Sequence, residues 1–238
     1  MHPPSREFFF KTPPYTPTQV FTQVIKMIIT LASLKGGTGK SVLSLHLAHI
    51  IALAKRRVVL VDADPQGSAS NWAAAREEPA PFVVVGMARD TLHRDLPALT
   101  KDFDHAIIDT PPRVSALARS AILAANLVIC PVQPSSFDVW AVGETVELVK
   151  EAQQFKPEIK AAFCINRRIA KTAIGREIEE ALADYPFPIL KTAIAQRVAF
   201  AESSSGYTVM ELSPGSTATS EIKSLSKDIL KFMELKSW

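Results

Sequence analysis

The sequence is poor in cysteine, nearly balanced in charge and free of long apolar runs. Its 238 residues include two cysteines, Cys130 and Cys164, each inside an apolar stretch. A disulfide framework of the secreted type is therefore not expected, and a cysteine zinc site lacks ligands. The 27 basic and 24 acidic residues leave a net charge of +3, which does not by itself indicate a nucleic-acid partner. No apolar run reaches the roughly 18 residues that a membrane-spanning helix needs.

The composition, 47% apolar and 21% charged, is that of a globular protein. The first 26 residues differ from the rest of the chain. Residues 1–26 hold five of the 17 prolines and three consecutive phenylalanines at positions 8–10. Their apolar run is too short for a secretory signal. We interpret residues 1–26 as a disordered or non-native leader, while a packed N-terminal arm is the alternative for the phenylalanines. Residues 27–238 are predicted to form a single domain.

Short apolar runs alternate with helix-length segments from Met27 onward. The runs are continuous, as in strands that are buried on both faces of a parallel sheet. Such repeats predict an α/β fold in which a doubly wound, mostly parallel sheet carries helices on both faces. The predicted strands are Met27 to Ala32, Arg57 to Val61, Phe82 to Val85, His105 to Ile108, Leu127 to Val132, Ala161 to Ile165 and Ile189 to Leu190. The predicted helices are Ser41 to Ala54, Phe137 to Gln154, Ile174 to Ala183 and Ser216 to Leu235.

A glycine-rich loop follows the first predicted strand. Its glycines let backbone N–H groups surround phosphate oxygens at the start of a helix, whose N-terminus carries partial positive charge. In such a loop Lys40 would lie along the β- and γ-phosphates, and the Ser41 hydroxyl would be a ligand of Mg²⁺. Leu34 stands where the strict phosphate-loop pattern has glycine, and the spacing of a dinucleotide-binding loop is absent. The loop consists of Leu34, Lys35, Gly36, Gly37, Thr38, Gly39, Lys40, Ser41 and Val42.

Carboxylates end two more of the predicted strands. Asp109 follows a buried run, in the position from which an aspartate serves Mg²⁺ in phosphate-loop enzymes, although it can also simply cap a strand. Asp62 and Asp64 end the second strand, where one can serve the metal and the other can orient water. The same segment is also typical of a turn. Because the carboxyl ends of parallel strands meet at one edge, we expect these groups to line one crevice.

Several motifs, in consistent order, resemble those of the ParA/MinD family of deviant Walker A ATPases, most of all the small plasmid-type ParA partition proteins. In that family the first lysine of the loop, here Lys35, is diagnostic and the residue before it varies. The matching segments are Lys35 to Ser41 (phosphate loop), Asp62 to Ser68 (switch), Ile107 to Pro112 (Walker B), Leu127 to Pro134 (the following strand) and Thr192 to Arg197 (late segment).

The resemblance implies a phosphate-loop ATPase that uses ATP and Mg²⁺, turns over slowly and is stimulated by a partner. ATP would be bound within a face-to-face homodimer, in which Lys35 reaches the partner's nucleotide and Lys40 serves its own. Asp64 would orient the attacking water. The implied catalytic residues are thus Lys35, Lys40 and Asp64; the nucleotide-binding residues are Lys35, Gly36, Gly37, Thr38, Gly39, Lys40, Ser41, Val42 and Asn166, the last at the adenine; the metal-binding residues are Ser41, Asp62 and Asp109.

The resemblance also implies that the ATP dimer binds DNA without sequence preference and positions a cargo on the bacterial nucleoid, in the cytoplasm. The cargo would be a plasmid, a chromosome region or a protein assembly, and a ParB-like or other adaptor would stimulate hydrolysis. Basic residues without acidic neighbours cluster after the sixth predicted strand, as phosphate contacts would, while a solvated charged face is the alternative. The expected DNA contacts are Arg167, Arg168, Lys171 and Arg197.

Two other functions remain open at this point. The C-terminal segment is amphipathic, with Ile222, Leu225, Ile229 and Phe232 on one face, so it could lie on a membrane as in a MinD-like ATPase. Packing on the sheet is the commoner use of such a face, and acidic residues among its lysines weaken the case for lipid, so a membrane partner is not expected. The non-enzyme alternative is a nucleotide-gated binding module, which a measurement of phosphate release would distinguish.

Overall fold

The computed structural model describes residues 27–113, 115–169 and 174–238. The proposed leader, residues 1–26, and one predicted DNA contact, Lys171, lie outside the described residues.

Six strands form one parallel sheet in the order β3-β2-β4-β1-β5-β6. Three of them, β2, β4 and β5, are buried at every residue, which explains the continuous apolar runs that make up most of their sequences. The observed sheet confirms the predicted doubly wound, parallel α/β fold. The strands are β1 Met27–Leu31, β2 Val58–Asp62, β3 Val83–Gly86, β4 His105–Asp109, β5 Leu127–Val132 and β6 Lys160–Ile165.

Helices cover both faces of the sheet, because successive residues of each strand point to opposite sides. Ile107 packs in one apolar cluster with residues of α1 and α9, whereas Ile108 packs in another with residues of α3 and α4. The helices are α1 Lys40–Leu53, α2 Ser68–Ala74, α3 Leu92–Leu99, α4 Ala116–Ala124, α5 Ser136–Phe155, α6 Ile174–Leu182, α7 Val198–Glu202, α8 Val209–Leu212 and α9 Thr217–Phe232.

The amphipathic C-terminal helix α9 packs on the protein core. Ile222, Leu225 and Ile229 are fully buried and belong to the same cluster as the apolar side of α1. These residues of the apolar face of α9 are therefore already covered, which confirms the interpretation that this face packs on the protein core. Among the helices of the described residues, none combines the length and the apolar character of a membrane-spanning segment.

The predicted strand at Ile189 and Leu190 is wrong. Only a single bridge pairs Ile189 with Phe163 at the outer edge of β6, with hydrogen bonds to Pro188 O and from Leu190 N. Prolines at 186 and 188 have no N–H to donate, so a longer ladder cannot form there. Five helices, α2, α3, α4, α7 and α8, were not predicted.

Candidate functional site

The predicted site residues meet at the carboxyl edge of the sheet. In the strand register, Asp109 at the end of β4 stands beside Leu31 of β1 on one side and Asp62 of β2 on the other. The glycine-rich loop leaves β1 directly after Leu31 and ends at the start of α1. The parallel topology therefore gathers the loop and both strand-end carboxylates, as the sequence predicts.

The loop is held in place by two side chains that donate hydrogen bonds to its backbone carbonyl groups. Asn166 Nδ2, after β6, donates to Thr38 O at 2.7 Å, and Gln133 Nε2, after β5, donates to Gly37 O at 2.5 Å. Gly39 has a φ of 89°, and a β-carbon there would collide with the Asn166 amide. Only glycine fits such a position. With its carbonyls tethered from outside, the loop can present its N–H groups to an anion.

The N-terminus of α1 is open. Gly39 precedes the helix and has no side chain with which to cap the first turn. The unpaired N–H groups of a helix start, with the partial positive charge of the helix dipole, favour a bound anion. Ser41 and Val42 are half-buried in this first turn. The loop and the helix start together form a phosphate-sized anion site.

Lys40 lies beneath the loop. Its side chain is buried, and Nζ donates to Ser33 O at 2.9 Å and to Lys35 O at 3.3 Å. Burial lowers the pKa of Lys40, while Asp109 and Asp64 act in the opposite direction. Two carbonyls leave one of the three ammonium donors available, which suits an anion arriving above it. Lys35 itself is half-buried at the start of the loop.

Asp109 is a buried carboxylate without a hydrogen-bond partner among the described residues. Burial raises its pKa to about 7, reinforced by Asp62 and Asp64 and opposed by the Ser41 hydroxyl, which lies near the carboxylate without meeting hydrogen-bond geometry, and by Lys40. A buried carboxylate left without donors is suited to a cation. The described residues contain no cluster of three or more His, Cys, Asp or Glu side chains that could hold a metal alone. A hard cation that takes few protein oxygens and several phosphate or water oxygens, as Mg²⁺ does, fits this donor set.

Asp62 and Asp64 have different surroundings. Asp62 is buried, and its Oδ2 accepts hydrogen bonds from Ser70 N and Ser70 Oγ, both at 2.8 Å. This carboxylate therefore anchors α2, so a metal role for Asp62 remains a prediction on a group that is already engaged. Asp64 is half-buried, and its Oδ1 accepts from Gln66 N at 2.9 Å in a turn. One oxygen of Asp64 thus remains available to a water in the crevice.

Two of the predicted DNA-contacting arginines have carboxylate partners. Arg168 lies 3.6 Å from Glu179, and Arg197 is bound to Glu221 at 2.6 Å. Arg167 is exposed and has no ion pair with the residues that the structure describes. The parallel bridge between Arg168 and Ala195 brings the two basic segments side by side. The positive charge of the two segments is partly neutralised by these glutamates, and the DNA contacts remain a prediction.

Two supporting residues were missed by the sequence interpretation. Gln133 holds the loop from β5, and Thr110 Oγ1 donates to Leu31 O at 2.8 Å, which fixes the residue after Asp109 against β1. Both are polar residues directly after a buried strand, a position that could have drawn attention to them.

A parallel sheet with an anion-binding loop between β1 and α1, and with an aspartate at the end of the neighbouring strand, defines a phosphate-loop nucleotide-binding domain. The sequence profile of the family described as the CobQ/CobB/MinD/ParA nucleotide binding domain matches residues 29–207. The chain belongs to this family.

Named relatives share most of their length with the chain. The maintenance of carboxysome distribution protein A of Halothiobacillus neapolitanus is 28% identical, covering 85% of this chain and 95% of the relative. The chromosome-partitioning ATPase Soj of Thermus thermophilus is 26% identical, covering 85% and 94%. The structure of cobyrinic acid a,c-diamide synthase from Mycobacterium smegmatis, with a bound ATP analogue and magnesium, superposes with a TM-score of 0.74 at 21% identity, covering 88% and 96%.

Proposed function

We propose that this ParA-type protein hydrolyses Mg²⁺-bound ATP and uses ATP-dependent dimerisation and non-specific DNA binding to position a cargo on the bacterial nucleoid. The observation that carries the nucleotide part is a combination of two buried groups beneath a preformed anion loop: the Asp109 carboxylate, which has no hydrogen-bond partner among the described residues, and the Lys40 ammonium. The solved relative with an ATP analogue and magnesium supports the choice of ligand.

Each charged group of the site has a proposed role toward ATP. Lys40 and the N–H groups of the loop neutralise the β- and γ-phosphates. Ser41 and Asp109 would hold Mg²⁺, which would supply charge neutralisation at the phosphates. Asp64 orients the attacking water, since one of its oxygens is free of the turn that the other closes. Asn166 lies beside the loop, where it holds Thr38, and we propose that it also contacts the adenine.

We infer dimerisation from the resemblance of Lys35 to the first loop lysine of the family. Lys35 is half-buried at the start of the loop, and its backbone carbonyl accepts a hydrogen bond from Lys40 Nζ at 3.3 Å. A lysine that completes the partner's site neutralises phosphate charge only in the dimer, so the γ-phosphate and dimerisation become coupled. Hydrolysis removes that contact and releases the dimer, as in other nucleotide switches.

DNA binding rests on the surface that carries Arg167, Arg168 and Arg197. Contacts to phosphate give affinity that is independent of sequence and sensitive to salt. The names of the relatives, a chromosome-partitioning ATPase and a carboxysome distribution protein, agree with cargo positioning as the purpose. We therefore place the protein on the nucleoid in the cytoplasm and expect a ParB-like or other adaptor that stimulates its slow hydrolysis.

The first experiment measures binding to a non-specific DNA duplex with ATP, with ADP and without nucleotide, each at low and moderate salt. Binding that requires ATP and falls steeply with salt is expected. Absence of DNA binding in all three states would contradict the proposed function. Release of phosphate, measured in parallel, separates an ATPase from a nucleotide-gated module that does not turn over.

Two variants test the basic surface. Arg167→Ala with Arg168→Ala should weaken DNA binding about tenfold or more, without a change in ATP affinity. The matched control removes two exposed lysines of α9, with Lys223→Ala and Lys227→Ala. Equal loss in both variants would indicate a general charge effect and would argue against a DNA site at 167–168.

A further inference from the structure

Arg113 lies beside the phosphate loop and has no role in the function proposed above. Its backbone N–H donates to Leu34 O at 2.9 Å, directly before Lys35. Pro112, the residue before it, lies against the loop, since its Cβ would be 3.9 Å from a β-carbon at Gly36. The turn after β4 therefore positions Arg113 next to the lysine that the proposed dimer uses.

The backbone at Arg113 is strained. Its φ is 78°, in the left-handed region that favours glycine. Glycine would hold the same turn without strain, and strained residues of this kind concentrate at functional sites. The side chain is exposed and makes no ion pair or hydrogen bond with any residue that the structure describes.

Five arginines elsewhere in the described residues are paired with a carboxylate, whereas Arg113, like Arg89, Arg94 and Arg167, has no such pair among them. What distinguishes Arg113 is its place beside the loop, at the edge of the sheet where an anion would bind. A guanidinium is a strong ligand of phosphate because its planar donors match phosphate oxygens. The carboxylate-paired arginines are Arg57, Arg76, Arg119, Arg168 and Arg197.

We propose that Arg113 contacts the phosphates of the nucleotide held by the partner subunit and stabilises the charge that develops there during hydrolysis. The inference rests on the proposed ATP dimer, and it adds to each nucleotide site an arginine that comes from the other copy of this chain. Lys40 lies beneath the loop, where it would serve the chain's own nucleotide, whereas Arg113 is exposed beside Lys35, the residue that the proposed dimer directs to the partner's nucleotide.

In the reaction, the water oxygen forms a bond to the γ-phosphorus as the bond from that phosphorus to the β–γ bridging oxygen breaks. The leaving electron pair stays on ADP, and the water proton passes to the phosphate product. Arg113 exchanges no proton; it offsets negative charge on the transferring phosphoryl oxygens, a contribution that is largest in the transition state.

The variant that tests this role is Arg113→Gly, since glycine holds the left-handed turn without strain, whereas alanine would keep the strain that arginine has. We expect kcat for ATP to fall about tenfold or more, with thermal stability not lowered and with unchanged ATP affinity of the monomer. Arg113→Lys, which keeps the charge but not the planar donors, should retain an intermediate rate. Lys101→Ala, an exposed charge beyond α3, is the control and should match the unmodified protein.

Mixing variants shows which subunit uses the arginine. Asp64→Ala and Arg113→Gly are each expected to hydrolyse ATP poorly alone. In a mixed dimer, the nucleotide of the Arg113→Gly subunit has its own Asp64 and receives Arg113 from the Asp64→Ala subunit. Mixing should therefore restore hydrolysis toward half of the unmodified rate per mixed dimer, because one of its two sites is complete.

Two results would overturn the inference: a kcat for Arg113→Gly equal to that of the control, or a loss that mixing does not restore. If Asp64→Ala alone hydrolyses ATP normally, the proposed role of Asp64 fails instead. Mixing is then repeated with Lys40→Ala as the inactive subunit. If the unmodified protein shows no hydrolysis at all, the proposed function fails before Arg113 is tested.

Discussion

A buried ion pair joins the segment that follows the switch residues to the C-terminal part of the chain, and its removal should be costly. The side chain of Arg76, just after α2, is 4% exposed. It lies between the rings of Trp72 and Tyr207, each with its centroid 5.1 Å from Cζ. It donates to both carboxylate oxygens of Glu211, at 2.8 Å and 3.2 Å, and to Gly206 O. Arg76→Met removes these donors and keeps an apolar stem between the two rings.

The expected loss of unfolding free energy depends on the Glu211 charge that remains buried after Arg76 is replaced. Removing one partner of a buried ion pair costs about 3–5 kcal/mol, because the other charge stays buried. Glu211 is 24% exposed and keeps its hydrogen bond from Thr208 N, so water and that bond partly compensate it. We therefore expect Arg76→Met to lower the free energy of unfolding by about 3 kcal/mol at pH 7.

The loss should depend on pH. Burial raises the pKa of Glu211, but hydrogen bonds from Arg76 and Thr208 N–H outweigh it and hold the pKa below its ordinary 4.5. The stabilisation from ionised Glu211 is thus complete above pH 4.5 and is lost as the pH falls through the lowered pKa. In Arg76→Met the main stabilising donor is gone and protonation relieves the buried charge. The difference between the two proteins should therefore narrow at acid pH.

Urea unfolding followed by tryptophan fluorescence, at pH 7 and near pH 4, measures both effects. The matched control is Arg119→Met, which removes an ion pair to Glu151 whose side chains are 47% and 54% exposed. This control should change the free energy of unfolding by about 0.5 kcal/mol or less. A loss below about 1 kcal/mol for Arg76→Met, or equal losses in the two variants, would refute the reasoning.

Three other changes have defined outcomes. Lys35→Ala should keep ATP binding and lose the ATP dimer; light scattering after size-exclusion chromatography tests this, and a persistent dimer contradicts the cross-subunit role. Gly39→Ala should weaken ATP binding about tenfold or more, because its β-carbon meets the Asn166 amide; unchanged affinity in a nucleotide titration counts against the tethered loop. Ile229→Ala, at a fully buried site of α9, should lower the free energy of unfolding by about 2–5 kcal/mol; a loss under 1 kcal/mol in urea is the contrary result.

The parts of the site that could be predicted are those formed by residues that are consecutive in the sequence. Strands β2, β4 and β5 are buried at every residue, so their sequences are apolar apart from His105 and the aspartates that end β2 and β4, and β5 is followed directly by Gln133. The loop from Lys35 to Ser41 is likewise a single run of consecutive residues, so its pattern can be seen in the sequence. The parallel topology then brings these ends to one edge, which is why Asp62 and Asp109 could be placed together before the structure was known.

The parts that could not be predicted depend on residues far apart in the sequence. Arg197 and Glu221 are 24 residues apart, and nothing in either segment indicates the pairing. The same holds for Gln133, which is 96 residues from the loop that it holds. Helices α2 and α8, of seven and four residues, are too short for a helical period to emerge. They depend on tertiary contacts, such as the capping of α2 by Asp62.

The tethering of the loop by Gln133 and Asn166 has a consequence for how the protein distinguishes its nucleotides. The loop is in its binding shape before the ligand arrives, so the entropy of ordering it was lost during folding and binding does not incur that loss again. Such a loop binds the phosphates that ATP and ADP have in common, so it contributes similarly to the affinity for both nucleotides. The signal that separates substrate from product must then come from groups outside the loop, such as those that a second subunit would supply in the proposed dimer.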